Sequence, residues 1–275
     1  MTNQQSKALT DSALTRLMEA LEQGQSDALK QYLAAMSRFR RYSWGNVLLI
    51  YMQRPHASHV AGFHAWLKMR RFVRKGEKGI VILAPIVGRK KSADDELTED
   101  RQTRLYGFRS AYVFDISQTD GEPLAAFPTV AGDPQKATER LREFIAGKDI
   151  ALVYDAGILP AQGMSSGGKI TIASGLDSPS EFSVLVHETA HELLHRGERR
   201  HQTTHAVRET EAEAVAFVVA TGIGLDVGTA ASDYIQLHAG DVATLAESLG
   251  EIQRVAIEIL DAVASPVEQP NETAA

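Results

Sequence analysis

The sequence contains no cysteine. That excludes a disulfide framework, a thiol nucleophile and any thiolate metal site, so a bound metal must be held by His, Asp or Glu. No apolar run approaches the roughly 18 residues of a membrane span. The opening stretch, Met1 to Thr10, is polar and lacks the apolar core of a signal peptide. These absences point to a cytoplasmic protein with no membrane partner. Another scarcity is local. Between Leu29 and Lys91 a single acidic residue, Glu77, stands against fourteen Lys and Arg, so this window carries +13 in a chain of net charge −6 and leaves −19 on the remainder. The same window holds eight of the eighteen aromatic residues, both tryptophans among them. A basic, aromatic-rich segment inside an acidic protein points to a polyanionic partner.

The chain is otherwise ordinary for a soluble globular protein, with 275 residues, 44% hydrophobic and 23% charged. At roughly 100–200 residues per domain, its length suggests two domains. Apolar spacing at Leu14, Leu17, Met18 and Leu21, and again at Leu29, Tyr32, Leu33 and Met36, predicts two helices over 11–40 with a break at Gln23–Ser26. Ser43 is the expected cap of a short helix through Val47, Leu48 and Tyr51 that stops before Pro55. Another short helix is expected over Phe63–Met69. Strands are expected at Gly79–Pro85 and Leu105–Ile116, paired antiparallel, with a charged loop over Gly88–Arg104 between them. Residues 117–133 read as a linker.

Beyond that linker a helix is expected over Pro134–Ala146, then short strands at Ile150–Tyr154 and Lys169–Ala173. Helices follow at Ser178–Arg196, capped by Ser178 or Ser180, at Thr203–Thr221 and at Gly240–Val263. The expectation is an α+β protein in two parts. An N-terminal α+β domain with a small antiparallel sheet occupies 1–130. A mostly helical domain with a small sheet occupies 134–264, and a flexible tail occupies 265–275.

The chemistry concentrates in His187-Glu-Thr-Ala-His191. This is H-E-x-x-H, whose imidazoles at i and i+4 share one helical face and can reach one ion at about 2.0–2.1 Å. Glu188 stands beside them as a candidate general base for a water on that ion. The apolar flanks Phe182, Val184, Leu185, Val186, Leu193 and Leu194 mark the helix as buried. A hydrolytic zinc needs a third protein ligand and one open position. His195 continues the i, i+4 series, but two turns of helix separate it from His187 by about 12 Å. It is therefore expected to be an ordinary helix-end histidine. His201 and His205 remain possible. The favoured ligand lies in the next helix, where Glu211 shares a face with Val215 and Val218. Glu209, and with it Glu213, is expected on a solvated face.

The glutamate twenty residues after His191 makes the pattern resemble the gluzincins, the thermolysin-like zincins. The local Glu211-x-x-Ala214, with Phe217 after it, resembles the ImmA/IrrE-type metallopeptidases. That resemblance implies zinc held by His187, His191 and Glu211, with Glu213 as fallback, in a zincin-like domain. Such families often carry Asn, Asp or Glu just after that alanine. This chain has Val215, so a carboxylate that orients a ligand histidine is missing from that position.

The segments Tyr42-Ser-Trp-Gly-Asn-Val-Leu-Leu-Ile, Val60-Ala-Gly-Phe-His-Ala-Trp and Val73-Arg-Lys-Gly-Glu-Lys-Gly-Ile resemble the N-terminal domain of ArdC antirestriction proteins. The resemblance implies single-stranded DNA binding ahead of a zincin-like domain. The residues agree in kind, because single-strand binders pair a cationic groove with aromatic platforms for stacked bases. Arg40, Arg41, Lys68, Arg70, Arg71, Arg74, Lys75 and Lys78 are candidates for the groove. Tyr42, Trp44 and Trp66 are candidates for the platform, with Phe63 and Phe72 beside them.

The leading expectation is a single-stranded DNA-binding module fused to a zinc metallopeptidase-like domain. It would hydrolyse a peptide bond of an unknown protein substrate with Glu188 as base. Strand Lys169–Ala173 would be the edge on which substrate pairs, and Tyr234, His205 or Arg208 the oxyanion donor. The rival is a non-catalytic, DNA-coating antirestriction protein whose metal is structural. A third reading is a DNA-triggered protease that cleaves one repressor.

Overall fold

The computed structural model describes residues 3–23, 25–89, 103–122, 134–225 and 242–263. The fold is α+β, and the chain divides into two compact units, Met1–Ala125 and Ala126–Ala275. Most of the expected loop Gly88–Arg104, the later part of the expected linker, Tyr234 and the expected tail lie outside the described residues.

The first unit starts with α1 (Asn3–Glu22), α2 (Ser26–Arg38) and α3 (Trp44–Gln53). The apolar spacing read in the sequence is the packing face. Leu14, Leu17, Leu21, Leu29, Leu33 and Met36 are all buried, as are Val47, Leu48 and Ile50 of α3. Removing each such side chain from water contributes about 1.5–3 kcal/mol. Helix α1 begins earlier than the apolar spacing indicates, because its first turns are polar. Ser43 caps α3 by accepting the Asn46 N–H.

A three-stranded antiparallel sheet follows, in the order β1 (Val60–Gly62), β4 (Thr103–Asp115), β3 (Ile80–Arg89). Strands β3 and β4 pair from Ile80↔Val113 to Arg89↔Thr103, with a register shift between Ile86 and Val87. Inward-facing Ile80, Ile82 and Val113 are buried. The open edge of β3 is not left to solvent. Asn46 Nδ2 and Oδ1 pair with the Leu83 carbonyl and N–H at 2.9 and 2.8 Å, and Gln53 does the same for Val81, 2.9 Å in each direction. Two amide side chains on α3 thus act as a substitute strand and block the edge.

Between β1 and β3 lie α4 (Phe63–Lys68) and β2 (Arg71–Val73), and β2 pairs antiparallel with β5 (Thr119–Gly121). Residues 117–121 therefore belong to the first unit and are not linker. The Gly- and polar-rich composition of this stretch resembles a connection, because its anchors are distant in sequence. Asp115 and Gln118 form a capping box around a short 3-10 turn at Ile116–Gln118. Arg71 reaches Thr119 and the carbonyls of Gly121 and Glu122.

The second unit runs α5 (Pro134–Gly147), β6 (Ala151–Tyr154), β7 (Gly163–Ser165), β8 (Lys169–Ile172), α6 (Ser178–Leu194), α7 (Glu198–Gln202), α8 (His205–Gly222) and α9 (Val242–Val263). Its sheet is mixed, in the order β6-β8-β7, with β8 parallel to β6 and antiparallel to β7. Strand β8 is therefore central, with β6 and β7 as the two edges, the reverse of the role expected for Lys169–Ala173. Three-residue β7 has too little alternation to be seen in sequence. The cap of α6 is Asp177, whose carboxylate accepts the Ser180 N–H at 2.8 Å, in place of either expected serine. Phe182, Leu185 and Val186 of α6, Val215, Val218 and Val219 of α8, and Leu249, Ile252 and Val255 of α9 form the core.

Candidate metal centre

Helix α6 carries His187 and His191 one turn apart, with ring centroids 4.7 Å apart and their Nε2 atoms separated by 3.0 Å. Helix α8 brings Glu209 against both: Oε2 lies 3.5 Å from His187 Nε2, and Oε1 lies 3.5 Å from His191 Nε2. One ligand atom from each residue falls within 4.8 Å of the others. Tetrahedral ligands with bonds of about 2.1 Å stand about 3.4 Å apart, so the spacing fits one ion held by two imidazoles and a carboxylate. The three groups are partly exposed, which leaves an approach for a fourth ligand. The His187 and His191 rings, each 3.5 Å away, hold the Glu209 carboxyl below the usual carboxylate range.

The structure brings Glu209, not Glu211, to the histidine pair. Two residues of helix turn the side chain by about 200°, so one helix cannot aim both carboxylates at one ion. Glu211 is wholly buried, as its apolar company suggested, but its oxygens are engaged elsewhere. Oε2 meets His195 Nε2 at 2.9 Å, and Oε1 accepts from Arg199 and Ser248 at 2.6 Å each. Burial would raise its pKa, but the hydrogen bonds from His195 and Ser248 and the Arg199 charge outweigh that and hold it down. The half-exposed Glu209 is the α8 carboxylate that faces the histidine pair. The sequence offered one clue, the acidic Glu209 one turn after His205.

His195 is not an ordinary helix-end histidine. It is buried, its Nδ1 lies 3.1 Å from His191 Nδ1, and burial pushes its pKa down more than Glu211 raises it. His201 is exposed. His205 is exposed too, and its Nε2 is 3.6 Å from Glu209 Oε1. Glu213 lies outside the cluster.

Glu188 sits next to His187 on the inner side of α6 and is buried. Burial pushes its carboxyl pKa up, against the opposing pull of His187 and His191. Arg208 holds the Arg200 and Thr203 carbonyls at 2.9 and 2.5 Å, so it braces the α7–α8 connection. Val215 is fully buried in the core.

In the first unit, two of the expected DNA-binding residues are structural. Trp66 is 1% exposed and its Nε1 donates to the Phe114 carbonyl at 2.9 Å. Arg71 is buried, with its guanidinium bound to β5. A basic, aromatic window in the sequence does not tell a core anchor from a platform. Tyr42 and Trp44 are half-buried; the Tyr42 hydroxyl donates to the Val60 carbonyl at 3.3 Å, and the Trp44 carbonyl accepts from Tyr32 at 3.0 Å. Arg40 is half-buried as well. Arg70 pairs with Glu122, and Arg74 with Glu77 and Asp120. Arg41, Lys68, Lys75 and Lys78 are exposed. The exposed aromatics are Phe63, Phe72, Tyr106 and Tyr112. Tyr106 and Tyr112 sit on β4, outside the basic window of the sequence.

Residues 5–114 match the family model described as the N-terminal domain of anti-restriction factor ArdC. An uncharacterized protein of Bacillus anthracis is 26% identical in an alignment 244 positions long that covers 73% of this chain and 41% of that protein. The chain thus spans about two fifths of that relative's length. Among solved structures, the antirestriction protein ArdC from plasmid R388 is similar in its metal-free form, with TM-score 0.59 and 18% identity over 92% of this chain and 97% of that one. Its Mn(II)-bound form gives TM-score 0.56 and 18% identity over 93% and 98%. At this identity the likeness is one of fold.

Proposed function

We propose, for a chain that carries an ArdC-type N-terminal domain over residues 5–114 and shares the ArdC fold, an antirestriction role in which the first unit binds single-stranded DNA and the second is a zinc-dependent peptidase. The observation that carries the second part is the convergence of His187, His191 and Glu209 with buried Glu188 beside them. Two nitrogens and one oxygen suit zinc, and three protein ligands leave the open position that hydrolysis needs.

The chemistry that bound zinc supplies is polarisation of the scissile carbonyl and a lowered pKa for water. Glu188 accepts the proton of the attacking water and hands it to the leaving amine. Its burial favours this role, because a carboxylate with a raised pKa is a better base than an exposed one. Edge strand β7 offers its outer backbone to an extended peptide by strand addition. In the first unit, exposed Arg41, Lys68, Lys75 and Lys78 attract phosphates, and Phe63, Phe72 and Tyr112 offer faces to unstacked bases.

The second reading is a DNA-coating protein whose metal is structural. It draws support from Arg208, an expected oxyanion donor that is engaged with two carbonyls. Zinc content and hydrolysis of an unfolded protein such as casein, with and without single-stranded DNA, separate the two in the parent chain and Glu188→Gln. The peptidase reading expects zinc in both proteins and hydrolysis in the parent alone. Equal turnover by Glu188→Gln removes Glu188 from the reaction. Zinc and DNA binding without any hydrolysis favours the coating protein.

A further inference from the structure

We propose that buried His195 and Glu211 form a positioning relay that fixes the ring and tautomer of His191 for metal binding, an inference that rests on the metal-site reading above. A neutral imidazole has one N–H donor and one bare nitrogen. Glu211 is clamped by Arg199 and Ser248 and faces His195 Nε2 at 2.9 Å. A carboxylate held by an arginine accepts and does not donate, so the proton sits on His195 Nε2. His195 Nδ1 is then bare and faces His191 Nδ1 at 3.1 Å, so the proton between them belongs to His191 Nδ1. That leaves His191 Nε2 with its lone pair exposed, and this is the atom that points at His187 and Glu209.

The relay therefore hands His191 to the cluster in the tautomer that a metal requires. It also rigidifies the ring, because His195 and Glu211 are both wholly buried. Four helices take part: α6 supplies both histidines, α8 the carboxylate, and α7 through Arg199 and α9 through Ser248 its two clamps. Partners of this kind, which hold a ligand histidine by its other nitrogen, change metal affinity by about 10–100-fold when removed.

The test uses Glu211→Gln in the full chain. The amide oxygen is best placed against its two donors, Arg199 and Ser248. The amide NH2 then faces His195 Nε2 and reverses every proton in the relay, which puts a hydrogen on His191 Nε2. Zinc affinity, measured by competition with a chromophoric chelator, should fall about 10–100-fold. The 15N-imidazole spectrum of the metal-free protein should show His191 protonated on Nδ1 in the parent and on Nε2 in the variant. His195→Phe keeps the ring volume and cuts both hydrogen bonds, and it serves as the test if Glu211→Gln does not fold. Leu249→Ala, a buried truncation on α9, controls for stability loss and should keep parental zinc affinity. Parental affinity and an unchanged His191 tautomer in Glu211→Gln overturn the relay alone. Failure of the parent to bind zinc overturns the metal reading, and the relay with it.

Discussion

Gly163 of edge strand β7 lies against Glu188 so closely that a Cβ placed on it would sit 2.6 Å from the Glu188 Oε1. The same Cβ would meet Val184 Cγ1 at 2.6 Å. Glycine is therefore required there by close approach of strand to helix, and the approach packs the carboxylate beside the edge that would receive substrate.

Gly163→Ala should force Glu188 or the strand aside. The expected result is retained zinc, a loss of hydrolysis of at least about tenfold, and destabilisation of about 1–3 kcal/mol from overpacking. Zinc content, casein hydrolysis and urea unfolding check the three parts. Parental hydrolysis in a well-folded Gly163→Ala protein would show that the Glu188 position is not under this constraint.

Glu209 and Glu211 should separate by the effect of their substitution on stability. Glu209 is half-exposed, so Glu209→Ala should lower zinc content nearly to zero with little change in thermal midpoint. Glu211→Ala should instead strand Arg199 and His195 around a buried gap, at a cost of about 3–5 kcal/mol. A zinc titration beside a denaturant curve for each variant decides the matter. Loss of zinc in Glu211→Ala under conditions where it remains folded, with full zinc in Glu209→Ala, would return the ligand role to Glu211.

The exchange between those two glutamates shows how far the sequence can be read. Apolar periodicity located the helices, since Leu14, Leu29, Val186 and Val215 all lie in cores. The i, i+4 histidines are a property of one helix and were legible as such. The third ligand depends on the angle between two helices, which no local spacing encodes. Apolar neighbours correctly marked Glu211 as buried, but burial selected it for His195 and Arg199, and Glu209 is the one that faces the histidine pair. Val215, read as the loss of an orienting carboxylate, is a core residue, and Glu211 through His195 stands where such a group is needed. Trp66 and Arg71 misled for the same reason: their partners, Phe114 and Thr119, are 48 residues away in each case.

Asp115 should make the first unit sensitive to acid. Its carboxylate accepts the N–H groups of Ser58, His59 and Ser117 and the Ser117 hydroxyl. Burial alone would raise its pKa, but these hydrogen bonds outweigh burial and hold it below the ordinary aspartate range. A depressed folded pKa contributes stability that is present above the unfolded value of about 3.9 and is lost as pH falls through the folded value. Asp115→Ala should cost about 1–3 kcal/mol at neutral pH, since Ser58, His59 and Ser117 lose a charged acceptor. The difference from the parent should shrink below about pH 4, as read by urea unfolding across pH. A difference that stays constant down to pH 2 would mean that the carboxylate charge plays no part.

The exposed aromatics and cations of the first unit should contribute to DNA binding in distinguishable ways. Phe72 and Tyr112 are each 60% exposed, which is unusual for rings that could be packed, and both lie in the unit that carries the basic window. Stacking on an unpaired base is worth about 1–3 kcal/mol and involves no counterion. Phe72→Ala and Tyr112→Ala should therefore weaken single-stranded DNA binding while leaving its salt dependence unchanged. Exposed Lys75 and Lys78 act through phosphates, and each phosphate contact on a single strand contributes about 0.7 to the slope of log K against log salt. Replacing both with Ala should flatten that slope by about 1.4. Duplex DNA, whose bases are already stacked, should bind more weakly than single strands and should be indifferent to the aromatic changes. Fluorescence anisotropy with the full chain at several salt concentrations measures all of these. Equal affinity for duplex and single strand, unaltered by Phe72→Ala and Tyr112→Ala, would reduce the first unit to a general polyanion surface and leave its aromatic residues without a role in recognition.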